Sequence, residues 1–94
     1  MDKATKIKEA RSVKAMLKSE GILNARVRHE GGWLNIEVAI DKPSNCFCKP
    51  YDNRCTACTD TWSSMRNHII ASAKQVTGRD GSYNGYIQSY IYLK

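Results

Sequence analysis

The chain has 94 residues, 41% hydrophobic and 26% charged, a balance that excludes wholesale disorder and suits one small domain spanning residues 1–94. Fifteen Lys and Arg against nine Asp and Glu leave a formal charge of +6, which admits an anionic partner without requiring one. No stretch approaches the ~18 apolar residues of a membrane span, and Met1-Asp2-Lys3-Ala4-Thr5-Lys6 has no apolar run, so a cytoplasmic location and no membrane partner are expected.

From about Thr5 to Ser19 the pattern predicts an amphipathic helix, with Ile7, Ala10, Val13 and Leu17 on its apolar side and Glu20-Gly21 as its stop. The lysines of this segment, Lys3, Lys6, Lys8, Lys14 and Lys18, together with Arg11, could track a phosphate backbone, but they read as spread around the helix, which favours a solvated surface. Ile22–His29 and Trp33–Ile40 alternate with a period of two and are joined by Glu30-Gly31-Gly32, which predicts a β-hairpin. In the second run Leu34, Ile36, Val38 and Ile40 share one face, and Trp33, Asn35, Glu37 and Ala39 the other. In the first run Leu23, Ala25 and Val27 oppose Asn24, Arg26 and Arg28. Asp41-Lys42-Pro43-Ser44-Asn45 ends the strand, and the next stretch, with Pro50 and Asn53, has little periodicity.

A second helix is expected after the cap residues Thr59-Asp60-Thr61, with Trp62, Met65, Ile69, Ala73 and Val76 as its apolar stripe and Gly78 as its stop. Gly78-Arg79-Asp80-Gly81 has the outline of a Gly-x-x-Gly nucleic-acid clamp, but that loop joins two helices and here a strand follows. From Tyr86 to Leu93 alternation returns, with Ile87, Ser89, Ile91 and Leu93 opposite Tyr86, Gln88, Tyr90 and Tyr92. The expected fold is α+β: helix, strand, strand, a cysteine loop, helix, strand, giving a small three-stranded antiparallel sheet with two helices on one face.

Chemistry concentrates in the loop at about residues 44–60. Cys46, Cys48, Cys55 and Cys58 form Cys-x-Cys and Cys-x-x-Cys pairs six residues apart, and there is no other cysteine. Two short pairs separated by a loop can converge on one tetrahedral ion, and four thiolates close its coordination sphere, so structural Zn2+ is expected rather than a catalytic metal. A redox pair of Cys55 and Cys58 is the competing reading, if that pair sits at a helix N-terminus. His29 and His68 are the substitute ligands should one cysteine fall short. No acid–base pair, nucleophile–histidine grouping or phosphate-binding fingerprint is present, so a non-enzymatic role is expected.

The other candidate surface is the sheet face opposite the helices, where Arg26 and Arg28 would meet Trp33, Tyr86, Tyr90 and Tyr92. Rings beside guanidinium groups can stack bases and neutralise phosphates. The same residue types dominate protein interfaces, and they also have high strand propensity. Nucleic acid is the leading partner on this reading, with a protein-binding inhibitor or adaptor, such as an anti-defence protein, as the alternative.

Val13-Lys14-Ala15-Met16-Leu17-Lys18, then Ala25-Arg26-Val27-Arg28, Gly31-Gly32 and Asp41-Lys42-Pro43 follow one another in residues 7–43. This order resembles a small domain associated with large polyvalent proteins of phages and mobile elements, whose second strand ends in Asp-Gly-Pro. Lys42 replaces that glycine, and the cysteine loop and C-terminal half have no counterpart. The resemblance implies a phage or mobile-element setting, hence a bacterial cytoplasm, and assigns no functional residue.

Overall fold

The computed structural model describes residues 2–48, 55–82 and 85–94. Pro50 and Asn53, and with them the middle of the cysteine loop, lie outside the described residues. Helix α1 spans Lys3–Ser19, strands β1 and β2 span Arg26–Glu30 and Trp33–Ile40, helix α2 spans Thr56–Thr77, and strand β3 spans Ile87–Leu93.

Helix α1 starts two residues before the expected position because Asp2 caps it, its carboxylate accepting from the Thr5 N–H at 2.7 Å. At the other end Gly21 takes φ +83°, and the Ile22 N–H reaches back to the Leu17 carbonyl at 2.9 Å while Gly21 N–H reaches Lys18 at 3.0 Å. That paired closure commits Ile22 to the helix terminus. It is why β1 begins at Arg26 instead of Ile22, leaving Leu23 outside the sheet and 72% exposed. Ile7 also departs from expectation: it is 44% exposed, and the inward side of α1 is built on Val13 and Leu17, both fully buried.

The sheet order is β1-β2-β3, with β2 central. β1 and β2 form the expected antiparallel hairpin, Val27 opposite Ile36 and Glu30 opposite Trp33. β3, expected to be antiparallel as well, runs parallel to β2, Leu34 opposite Ile87 and Ile40 opposite Leu93, so the sheet is mixed. The reason is the crossover. A helix of 22 residues, about 33 Å long, carries the chain from the end of β2 back to its beginning, so the next strand must set off in the same direction.

Leu34, Ile36 and Val38 of β2 and Ile87 and Ile91 of β3 pack with Val13, Leu17, Ile69 and Ala73 of the helices into one core. Both helices therefore cover one face of the sheet, as the alternation predicted. Ser89 falls on the same inward row, and its Oγ is buried without a hydrogen-bond partner among the described residues. No helix of the described residues is long and apolar enough to cross a membrane.

Candidate metal centre and sheet face

The cysteine segment leaves the sheet from a fixed point. Lys94 N–H bonds to Ile40 O and Lys42 N–H to Lys94 O, each at 3.0 Å, extending the β2–β3 ladder past both strand ends; Cys46 N–H then closes a turn onto Pro43 O at 3.0 Å. On the far side of the segment, α2 begins earlier than the Thr59-Asp60-Thr61 caps suggested. Cys55 itself is the N-cap, its sulfur accepting from the Cys58 N–H at 3.4 Å, and Cys58 sits in the first helical turn. A thiolate can replace the usual oxygen cap because it too is an acceptor facing the positive end of the helix dipole.

This placement brings all four sulfurs within 4.8 Å of one another. Cys58 Sγ lies 3.4 Å from Cys46 Sγ and 3.5 Å from Cys48 Sγ, and Cys55 Sγ lies 3.9 Å from Cys46 Sγ. The edge of a tetrahedron with metal–sulfur bonds of about 2.3 Å is about 3.8 Å, so the donor set fits one four-coordinate ion. Backbone donors support the charge such a set would carry: Phe47 N–H points to Cys55 Sγ at 3.5 Å and Cys55 N–H to Cys48 Sγ at 3.4 Å.

The thiols respond unequally. Burial pushes Cys55 up, but the N–H groups of Phe47 and Cys58 outweigh it and bring the thiol down to about 6. Burial pushes Cys58 up, and the neighbouring sulfurs of Cys55, Cys46 and Cys48 push it further. Cys48 is raised as well, against the Cys55 N–H, by burial and by its bonding to Cys55 and Cys46. Four sulfurs this close resist shedding their protons together, a repulsion that a bound cation would relieve. Neither histidine belongs to it: His29 Nε2 lies 2.7 Å from Glu9 and His68 Nε2 lies 2.7 Å from Glu20.

On the opposite side of the sheet the six expected contact residues do share one face. Register sets them in rows across the strands: Glu30, Trp33 and Tyr86; Arg28, Asn35 and Gln88; Arg26, Glu37 and Tyr90; and Ala39 with Tyr92. Trp33 and Tyr86 touch, ring centroids 5.0 Å apart and tilted by 57°. Trp33, Tyr90 and Tyr92 remain 39%, 37% and 55% exposed. Arg28 is not free: it bonds Glu37 diagonally across the hairpin and lies 3.7 Å from Glu30. Asn35, beside it in register, is buried in the middle of this face, and Asn35 Oδ1 and Arg28 Nε are both without partners among the described residues.

A third cluster has no counterpart among the expected sites. Arg79 donates from Nε and Nη2 to the two Glu9 oxygens, each at 2.9 Å, and from Nη1 to Gly32 O at 2.8 Å. His29 shares the same carboxylate, which as an acceptor requires an N–H from the ring. Side-chain exposure is only 8% for Arg79 and 9% for Glu9. Burial pushes the Glu9 carboxyl up, but the bonds from Arg79 and His29 prevail and hold it below its ordinary value. Arg79 therefore ties α1, the hairpin turn and the end of α2 together, which is the structural use of the Gly-x-x-Gly segment. The available clue was Glu9, an acid on the inward side of α1 one turn before Val13; its partner lies 70 residues away and carries no local signal.

Comparison with protein-family models, with curated proteins and with solved structures returned no match to this chain.

Proposed function

We propose that this chain is a small zinc-stabilised binding module, in which Cys46, Cys48, Cys55 and Cys58 hold one structural Zn2+ and the open side of the sheet docks a protein along its β3 edge. Zinc bound by four thiolates supplies a cross-link between the end of β2 and the start of α2. A closed sulfur set suits that task and leaves no position for an activated water. A redox pair would need only Cys55 and Cys58, whereas Cys46 and Cys48 converge on the same point.

One observation carries the protein reading: the two edges of the sheet are built differently. β1 bears Arg26, Arg28, His29 and Glu30, the charged dressing that discourages strand addition. β3, Ile-Gln-Ser-Tyr-Ile-Tyr-Leu, has no charge along its seven residues and presents Tyr90 and Tyr92 to solvent. An incoming strand can pair with its backbone and lay side chains on those rings. The ion pairs of Arg28 argue against the rival use of this face for nucleic acid, because a guanidinium bound to Glu37 and Glu30 offers little to a phosphate. This agrees with an adaptor or inhibitor acting in the phage or mobile-element setting that residues 7–43 resemble.

The test pairs a metal measurement with a capture experiment. Protein purified under reducing conditions is expected to contain one equivalent of zinc; metal-free protein with a reversible Cys55–Cys58 disulfide would return the site to the redox reading. In nuclease-treated lysate the wild type should retain a stoichiometric protein that Tyr90→Lys, a charge placed on the open edge, loses. Capture of no protein after nuclease treatment, with oligonucleotide binding abolished by Trp33→Ala, would assign the face to base stacking instead.

A further inference from the structure

The formal charge of +6 is not spread over the surface. Helix α1 alone holds Lys3, Lys6, Lys8, Arg11, Lys14 and Lys18 with a single acid, Glu9, leaving nine basic and eight acidic residues for the rest of the chain. At about 100° per residue, Lys3, Arg11, Lys14 and Lys18 fall within about 80° of one another, with Lys8 a further ~60° round. The lysines that look dispersed in the sequence thus form a stripe. Burial of Val13 and Leu17 in the core fixes the rotation of the helix, and all five of these cations are exposed.

The acids that could neutralise the stripe are engaged elsewhere. Glu9 is turned inward and held by Arg79 and His29, Asp2 caps the Thr5 N–H, and Glu20 bonds His68. The stripe also works against its own helix. Arg11 with Lys14 and Lys14 with Lys18 are like-charge neighbours at three- and four-residue spacing, and the first turn carries lysines and no acid, next to the positive end of the dipole. An anion seated along α1 would relieve each of these repulsions.

We infer that the outward face of α1 binds the phosphate backbone of double-stranded nucleic acid, without reading its sequence. The stripe is about 22 Å long from Lys3 to Lys18, and Ile7 is the only large apolar residue within it, beside the small Ala4 and Ala15. It holds no aromatic ring on which an unpaired base could stack, which favours a duplex over a single strand. Insertion into a lipid surface is disfavoured, because the apolar side of α1 is committed to the core. This surface lies on the helical side of the sheet, away from Trp33, Tyr90 and Tyr92, so its occupation is independent of the protein-docking proposal.

The experiment is a titration of the full, metal-loaded chain with a mixed-sequence duplex of about two helical turns, and with one of its strands, at about 50 and 200 mM monovalent salt. Four to five phosphate contacts predict a log–log slope near −4, so affinity should fall roughly a hundredfold or more over that range. Arg11→Gln/Lys14→Gln/Lys18→Gln, with circular dichroism confirming the fold, should flatten the slope by about 3. Lys74→Gln, which removes a cation from α2, should change the slope far less. An unchanged slope in the triple variant, tighter binding to the single strand, or binding to mixed phosphatidylcholine–phosphatidylserine vesicles but not to the duplex would each overturn the inference.

Discussion

The two ends of α2 are held by unlike devices. At its N-terminus four cysteines from a short stretch of chain converge on a point that a metal can occupy, and Cys55 doubles as the helix cap. At its C-terminus Gly78 closes the helix in the left-handed conformation, and the next residue, Arg79, locks onto Glu9 and Gly32. On the proposed reading the first anchor depends on an ion supplied from solution. The second is made entirely from the chain, and it resists change because a buried carboxylate deprived of its guanidinium keeps only His29 beside it.

The largest effect should come from breaking the first anchor. Strong chelator, or Cys58→Ser, is expected to lower Tm by at least about 20 °C and to expose the amides at the start of α2 to exchange, because the free energy of binding a structural metal is also folding free energy. Hydrogen exchange resolved by residue checks the comparison. Protection should fall first around Cys55–Cys58 and persist longer around Ala73–Gly78. Equal loss at both ends would mean that α2 has no separable anchors.

Breaking the second anchor should rank next. Arg79→Met leaves Glu9 buried with only His29 beside it and should cost roughly 3–5 kcal/mol in denaturant titrations, a large part of the stability of a domain this size. Adding Glu9→Leu should recover much of that loss, since removing both charges abolishes the unpaired one. Failure of the double variant to recover would show that the cluster acts through packing rather than charge.

Acid offers a graded version of the same test. The folded-state pKa of Glu9 lies below its ordinary value of 4.5, so its contribution is fully present above that value and is lost as pH falls through the lowered folded one. Tm of the wild type should therefore drop below about pH 4.5, and Glu9→Gln, less stable at neutral pH, should show a shallower dependence across that window.

The smallest effect sharpens the comparison by holding chemistry constant. His68 and Glu20 also make a 2.7 Å pair between the two helices, but with side chains 53% and 32% exposed, where His29 and Glu9 are nearly enclosed. His68→Ala should change stability by less than about 0.5 kcal/mol. A loss comparable to that of Arg79→Met would mean that burial is not what separates the two pairs.

How much of this was legible beforehand follows from the range over which each signal acts. The cysteine spacing pointed to the candidate metal centre because its four sulfurs come from thirteen consecutive residues, so the donor set can be read without knowing the fold. The tyrosine and arginine face was legible for the same reason: period-two alternation sends residues to one side of a strand whatever that strand pairs with. What alternation does not contain is the charge state of the face, because Arg28 meets Glu37 only through hairpin register. Nor did counting lysines along α1 reveal a stripe, since their common direction emerges only when the buried side of the helix is fixed.

The sequence by itself determined the elements, the inward rows of the strands and the cluster of candidate sulfur donors, all set by preferences acting within a turn or a strand. Tertiary structure alone decided the direction of β3 and the union of Glu9, His29 and Arg79. Each of these depends on where a 22-residue crossover sets down the chain, and that is settled by packing over the whole sheet rather than by any local run of residues.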